Sequence, residues 1–211
     1  MVQVYRYTNL SPINRQILRE SEVNVEALSA LQNRVSITKL TEPAPSEADL
    51  VQVFRAASRA ADHGKLRPWH FLTIENDGLS DLSDLLVESL TKSNPAVSTS
   101  VIEKTKNMPY RAPMIIVSIA TCQEHPSIPK HEQVLACGAA TQNILNALFA
   151  LGFGAVWRTG DLAYNENVKK GLGLTSSDEI VGFIYVGTPS QDIPGPPETD
   201  VSRLFSVWPA K

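Results

Sequence analysis

The chain has 211 residues, 43% of them hydrophobic and 19% charged, which suits one large folded domain and argues against a disordered or fibrous chain. The formal net charge of -3 and the lack of any Lys/Arg run argue against nucleic acid as a partner. The longest uncharged apolar stretch, residues 113–122, is about half of the ~20 residues that span a bilayer, so we expect no membrane partner.

Targeting signals and cysteine use favour a cytoplasmic protein. Residues 1–24 include acidic side chains and lack the apolar core of a signal peptide. The two cysteines, Cys122 and Cys137, lie in apolar surroundings on different predicted elements, without the paired framework of small secreted proteins. We therefore expect reduced thiols that fill the core rather than act as nucleophiles.

Helix signals alternate with helix-breaking residues in the N-terminal half. Apolar residues spaced three apart predict a first helix over residues 24–33, capped by Asn24. Two prolines exclude a helix over residues 41–45. Ser46 has capping-box spacing and begins a second helix, which we expect to end at Gly64. The pattern then predicts a strand over residues 69–74 and helices over residues 79–91 and 97–107.

A long apolar helix dominates the C-terminal half. Before it, residues 113–120 form an apolar run typical of a strand covered on both faces. The helix is predicted over residues 131–151 and is apolar almost all round from Val134 onward. Such a helix must be buried on every side, which in a chain of this size suggests that a second subunit shares it. Strands over residues 153–158 and 180–187 and a short helix over residues 165–171 complete an α/β sandwich of at least four strands.

A tail follows the Pro-rich residues 193–197. It contains four large apolar side chains, Leu204, Phe205, Val207 and Trp208, and is too apolar to remain solvated alone. We expect it to pack on its own or on a partner subunit.

Common catalytic patterns are missing from the sequence. The four histidines have no i, i+4 partner and no recurrent spacing to a carboxylate or thiol, so no metal site is expected. No serine stands between glycines at a strand-to-helix turn, which argues against a nucleophilic hydrolase. Gly152 and Gly154 precede a strand instead of joining a strand to a helix, so a dinucleotide fingerprint and a phosphate loop are both excluded.

Three polar clusters remain at the ends of predicted elements: residues 33–39, 59–69 and 157–160. Their arginines supply forked donors that suit phosphate, so the clusters could converge on one phosphorylated ligand. Each member also has a structural interpretation. Arg34 and His63 could satisfy helix ends and the tryptophans could be core residues, whereas Arg158, which follows an apolar strand, must be paired or bind something. The residues alone leave these alternatives open.

In their order along the chain, these clusters resemble the nitroreductase family, specifically its short YdjA-like subgroup of bacterial NAD(P)H nitroreductases. Asn33-Arg34-Val35-Ser36 is similar to the family's Arg-Arg-Ser motif. Arg59 through Trp69 is similar to its Arg-Ala-Pro-Asp-His and Gln-Pro-Trp-His-Phe segment. The resemblance extends over residues 24–189 and includes further matches at residues 42–45, 111–113, 152–160 and 181–189.

The resemblance implies an α/β (α+β) fold with a mixed central sheet flanked by helices, in an intertwined homodimer with FMN at the interface. Residues 24–190 would form the FMN-binding domain, between an N-terminal extension, residues 1–23, and the tail, residues 191–211. The implied flavin contacts are Arg34, Val35, Ser36, Trp157, Arg158 and Thr159, with Arg59 and His63 donated by the other subunit. The implied approach of the nicotinamide nucleotide is to Ala147, Leu148, Phe149, Ala150, Leu151 and Gly152.

Three positions depart from the family pattern. Val35 replaces the second arginine of the first motif, Ala61 replaces a proline, and Arg67 replaces a glutamine. Lys39 could offset the lost cation near the phosphate, and Arg67 could alter what enters beside the flavin. Residues 1–23 have no clear counterpart in the family.

The implied activity is that of an FMN-dependent oxidoreductase with a ping-pong cycle. Hydride would pass from NAD(P)H through the flavin N5 to an electron-poor small molecule such as a nitroaromatic or a quinone, without a dedicated protein acid or base. Arg67, Lys39 and Arg111 are unranked candidates for the cation near flavin N1. Alternatives are an FMN-binding protein for storage or sensing, a flavin-fragmenting or dehalogenating relative, and a flavin-free dimeric module.

Overall fold

A computed structural model describes residues 26–193 and 195–208 of the protein. Within these residues lie the strands β1 Leu40–Thr41, β2 His70–Glu75, β3 Met114–Thr121, β4 Gly154–Arg158 and β5 Asp178–Pro189. The α-helices within them are α1 Ala27–Asn33, α2 Glu47–Ala57, α3 Asp77–Ser93, α4 Thr99–Lys106, α5 Lys130–Ala150 and α6 Glu166–Gly171. From β2 onward, the predicted bounds of these elements lie within two residues of the observed ones.

The strands form one sheet in the order β1-β5-β3-β2, and β4 pairs with β5 as well. Each pairing among the described residues is antiparallel, so the parallel pairs of the expected mixed sheet are not found among them. The expected class, an α/β (α+β) fold with a central sheet flanked by helices, is confirmed. The two-residue strand β1 was not predicted, because it is too short to produce a periodic pattern.

Helices cover both faces of the sheet. Because successive side chains of a strand point to opposite faces, Ile115 and Val117 of β3 pack with α3 and α6, whereas Met114 and Ile116 pack with α2 and α5. All residues of β3 except Thr121 are buried, which confirms that this strand is covered on both sides. The two apolar clusters hold the sheet rigidly between the helix layers, so that β4 and β5 can present side chains at a fixed place.

The second helix begins as predicted but ends early. Ser46 and Asp49 form the capping box at its N-terminus, with the Asp49 amide 3.3 Å from the Ser46 Oγ. The helix ends at Ala57 rather than at Gly64, so the predicted end was wrong. Backbone φ angles are positive at Gly64, Lys65 and Arg67, which no right-handed helix accommodates.

Helices α1 and α5 pack together but leave apolar side chains exposed. α1 begins after Glu26, which caps it, while Asn24 and Val25 lie outside the described residues, as do residues 1–23. Leu28 and Leu31 of α1 are 61% and 55% exposed, and Leu135 of α5 is 68% exposed. The expectation that α5 is buried on every side is therefore not met within one subunit.

The described part of the C-terminal tail makes little contact with its own subunit. Leu204, Phe205, Val207 and Trp208 are all more than 70% exposed. Packing of the tail on a partner subunit stays a prediction. None of the helices in the described ranges is both long enough and apolar enough to traverse a bilayer.

Candidate functional site

A cavity of about 760 Å³ opens between α3, α4 and the C-terminal end of β4. Its apolar part comes from leucines of α3, from Met108 and Leu162, and from Phe183 of β5. Its polar part comes from the end of β4, from the short helical turn Asp161–Tyr164 that follows, and from α4 and the segment after it. The cavity therefore has the apolar body and the few convergent polar groups of a small-molecule site.

Three cations line this cavity: Lys104, Arg111 and Arg158. Within residues 26–193 and 195–208, none of them has a carboxylate oxygen within 4.0 Å, although Asp161 also belongs to the lining. The cavity thus has more positive than negative charge, and its cations remain available to an anionic ligand. Arg158 is exposed and unpaired among the described residues, so burial does not require a partner for it, and its binding of a ligand stays a prediction.

Tyr185 lies near both Arg111 and Arg158. Its side chain is only 6% exposed and lines the cavity, and its hydroxyl bonds to no other group in the described part of the chain. Burial raises the pKa of the phenol, and the charges of Arg111 and Arg158 partly oppose that rise. Tyr185 therefore stays protonated at neutral pH and has a free donor near two guanidinium groups. Sequence reasoning missed this residue, for which the available signal was one hydroxyl inside an otherwise apolar strand.

The end of β4 presents Trp157, Arg158 and Thr159 to the cavity. Trp157 is half-buried and packs against the α2 and α5 cluster, so it is a core residue and a lining residue at once. The backbone then turns at Gly160, with φ +125°, where a Cβ would meet nothing within 4 Å. A glycine there lets backbone N–H groups approach a ligand closely.

The first motif adjoins the same strand. The amide of Ile37 donates to the carbonyl of Ala155 in β4 at 3.0 Å, so Arg34, Val35 and Ser36 lie a few residues from it. The Arg34 amide closes α1 by donating to the Ala30 carbonyl, and its side chain is half-buried. These three residues do not belong to the lining of the cavity.

Arg59 and His63 also lie outside the cavity. Both are exposed, in the segment between α2 and β2. The His63 Nδ1 lies 2.7 Å from the Glu132 Oε2 of α5. The structure contains one subunit, so a role of Arg59 and His63 at a flavin held by another subunit stays a prediction.

The predicted nucleotide-approach segment lies at the opposite end of β4. Residues 147–152 form the last turn of α5 and the loop that enters β4 at Gly154, four residues before Arg158. Leu148 is completely buried, so its side chain offers no surface to a nucleotide. Approach of a nucleotide to this segment stays a prediction.

A second cavity, of about 450 Å³, lies between α2 and the outer edge of β2. Phe54 and Phe71 stack there with ring centroids 5.4 Å apart, and Trp69 lines the same hollow. Trp69 therefore does not share a cavity with Trp157. Among the described residues, no cluster of three or more His, Cys, Asp or Glu side chains could hold a metal ion.

The fold and the cationic cavity together suit an enzyme that binds a phosphorylated, partly apolar molecule. The sequence profile of the Nitroreductase family matches residues 31–188, most of the chain. The protein therefore belongs to the nitroreductase family, and we classify it as an oxidoreductase.

Named relatives agree with this assignment. YdjA of Escherichia coli K12, whose name of NAD(P)H nitroreductase is provisional, is 39% identical over 165 residues, which are 78% of this chain and 89% of YdjA. A provisionally named NAD(P)H nitroreductase of Haemophilus influenzae is 34% identical over the same shares of the two chains.

Solved structures show the same fold. A nitroreductase-like protein from Bacillus cereus superposes with a TM-score of 0.74 at 24% identity, over 88% of this chain and 97% of that one. A provisionally named nitroreductase from Desulfovibrio desulfuricans, crystallised with FMN, gives a TM-score of 0.66 at 22% identity, over 89% and 99%.

Proposed function

We propose that the protein is an FMN-dependent oxidoreductase that uses NAD(P)H to reduce an electron-poor small molecule of the nitroaromatic or quinone type. The observation that carries the proposal is the cavity at the end of β4, where Arg111, Arg158 and the Tyr185 hydroxyl meet an apolar lining. Family membership and the flavin bound by a protein of the same fold support it.

The residues present fit FMN. Its phosphate needs forked or charged donors, which Arg158 supplies at the cavity and Arg34 supplies beside β4. Its planar ring system needs apolar surface and a few fixed donors, which Trp157, the Tyr185 hydroxyl and the open backbone at Gly160 provide. When bound, the flavin would supply the transfer of hydride through N5 in a ping-pong cycle.

The protein's own residues would bind and orient the flavin and would exclude water from the site. The apolar lining around Phe183 keeps water out of the cavity, which strengthens the field of the fixed cations. Arg111 can stabilise negative charge that develops on a bound ring, and the protonated Tyr185 can donate to it. Arg111 thus becomes the preferred candidate for the cation near flavin N1, ahead of Lys39 and Arg67, which do not line the cavity.

We propose a cytoplasmic homodimer as the working form. Leu28, Leu31 and Leu135 are exposed on the adjacent helices α1 and α5. Contact of such an apolar surface with water is unfavourable. A second subunit that covers this surface could also bring Arg59 and His63 to the flavin, since neither reaches the cavity of its own subunit. The exposed tail residues, Leu204 to Trp208, would pack on that second subunit.

Purification under mild conditions tests the proposal. The protein should be yellow, or become yellow after incubation with FMN and removal of free flavin. Anaerobic stopped-flow reduction with NADH and with NADPH, followed by re-oxidation with a panel of quinones and nitroaromatics, would identify both substrates. A colourless protein that takes up no FMN contradicts the proposal. Bound FMN without steady-state NAD(P)H oxidation would instead support a storage or sensing role.

A further inference from the structure

His63 lies on a turn with an unusual backbone. Between α2 and β2, φ is +70° at Gly64, +57° at Lys65 and +49° at Arg67. Positive φ is unfavourable for residues other than glycine, and it persists only where the surroundings determine it. The Asp62 carboxylate accepts a hydrogen bond from the Arg67 amide at 2.6 Å, which closes the turn.

The segment before α5 packs against this turn. A Cβ at Gly64 would lie 2.4 Å from the Cδ1 of Ile128, so that the two segments are in close contact. Ile128 is buried, and the side-chain amide of Gln133 donates to its carbonyl at 3.2 Å. Gln133 is itself buried on α5 and bonds to the backbone of Gln123 as well. The turn is therefore fixed relative to the first turns of α5.

Glu132 lies in the first turn of α5 and contacts His63 directly. Its Oε2 is 2.7 Å from the imidazole Nδ1. An ionised carboxylate only accepts hydrogen bonds, so Nδ1 carries the proton and Nε2 is left for a different partner. With side chains 61% and 38% exposed, this pair adds little to the free energy of unfolding. The contribution of the His63–Glu132 pair to the free energy of unfolding therefore does not explain why this turn keeps several positive φ angles.

We propose that Glu132 is a positioning residue: its carboxylate fixes the tautomer and direction of the His63 imidazole, so that Nε2 meets the flavin of the second subunit. This inference rests on the proposed function, and in particular on His63 as a contact of FMN across the dimer. It adds a residue that sequence reasoning did not single out, because Glu132 and His63 are 69 residues apart.

Titration of flavin-free protein with FMN, followed by flavin fluorescence, tests the inference by binding rather than by turnover. Glu132→Ala should raise the FMN dissociation constant about fivefold to tenfold, comparable to the loss of one ordinary hydrogen bond. Glu132→Gln keeps an acceptor oxygen and should stay within about threefold of the unmodified protein. In a His63→Ala background, Glu132→Ala should have no further effect, because it acts through that side chain.

Lys130→Ala is the matched control. Lys130 lies in the same helical turn as Glu132 and does not contact His63. The substitution removes its ion pair with Glu179. This variant should bind FMN like the unmodified protein. Equal weakening in Lys130→Ala and Glu132→Ala, or additive effects of Glu132→Ala and His63→Ala, would overturn the inference.

Imidazole ¹⁵N NMR gives a readout that needs no flavin. The unmodified protein should show His63 with its proton on Nδ1, and Glu132→Ala should shift the tautomer toward Nε2–H. An unchanged tautomer overturns the inference while the proposed function stands. Unmodified protein that binds no FMN overturns both.

Discussion

The indole ring of Trp157 lies directly over Gly182: a Cβ on Gly182 would be 2.0 Å from the Trp157 Nε1. That Nε1–H donates to the neighbouring Val181 carbonyl at 3.1 Å. Only a glycine at this position of β5 lets the ring approach so closely while it lines the cavity.

Substitution Gly182→Ala should therefore displace Trp157. We expect the free energy of unfolding to fall by about 1–3 kcal/mol from overpacking, and FMN retention to fall with it. Urea denaturation and the flavin absorbance of purified protein measure the two effects. Gly195→Ala, where a Cβ meets nothing within 4 Å, is the control. Unchanged flavin content in Gly182→Ala would contradict a role of Trp157 at the cofactor.

Arg34 and Arg158 are predicted to hold the FMN phosphate. Arg34→Ala and Arg158→Ala should each weaken FMN binding by about 1.5–3 kcal/mol, the contribution of a charge-assisted hydrogen bond. Equilibrium dialysis with FMN measures the loss. Arg55→Ala, an exposed arginine beside the second cavity, should bind FMN normally. Normal binding by both of the first two variants would refute the site assignment.

Leu135 on α5 is predicted to lie in the dimer interface. Leu135→Arg would place a charge in that interface and should weaken dimerisation by about 3 kcal/mol or more, roughly a hundredfold. FMN should be lost in parallel if the second subunit completes the site. Sedimentation velocity reports the oligomeric state. Tyr164→Arg, at a side chain 67% exposed against 68% for Leu135, is the control. If Leu135→Arg remains dimeric, Leu135 does not lie in the interface.

The buried thiol of Cys137 predicts a pH dependence of stability. Burial raises its pKa from 9.0 to about 11, despite hydrogen bonds from Ser118 and Thr141 that lower it. Between pH 9 and 11 the folded chain keeps a proton that the unfolded chain releases. The free energy of unfolding should therefore be constant below pH 9 and fall by up to about 2 kcal/mol across this window.

Other groups also titrate in this window, so the comparison is with Cys137→Ala. That variant should lose less stability between pH 8.5 and 10.5, measured by urea denaturation at each pH. Equal losses in both proteins would show that the Cys137 thiol does not titrate as its burial indicates.

Local patterns predicted most of the secondary structure. The apolar run of β3 and the capping box at Ser46 depend on residues within one element, and both were found. The end of α2 was missed because Gly64, interpreted as the end of this helix, belongs to a separate turn that contacts Ile128, far away in the sequence. Tyr185 and Glu132 were missed as site residues for the same reason, since their partners come from other elements.

The sequence by itself determined the class of fold, the family and the arginines that suit a phosphate, because periodicity and the order of motifs can be read directly from the linear sequence. The tertiary structure decided which of those residues share a space. It brought Arg111, Arg158 and Tyr185 to one cavity and left Arg34, Arg59 and His63 outside it. Chain direction, strand register and helix packing set such distances, and no local pattern encodes them.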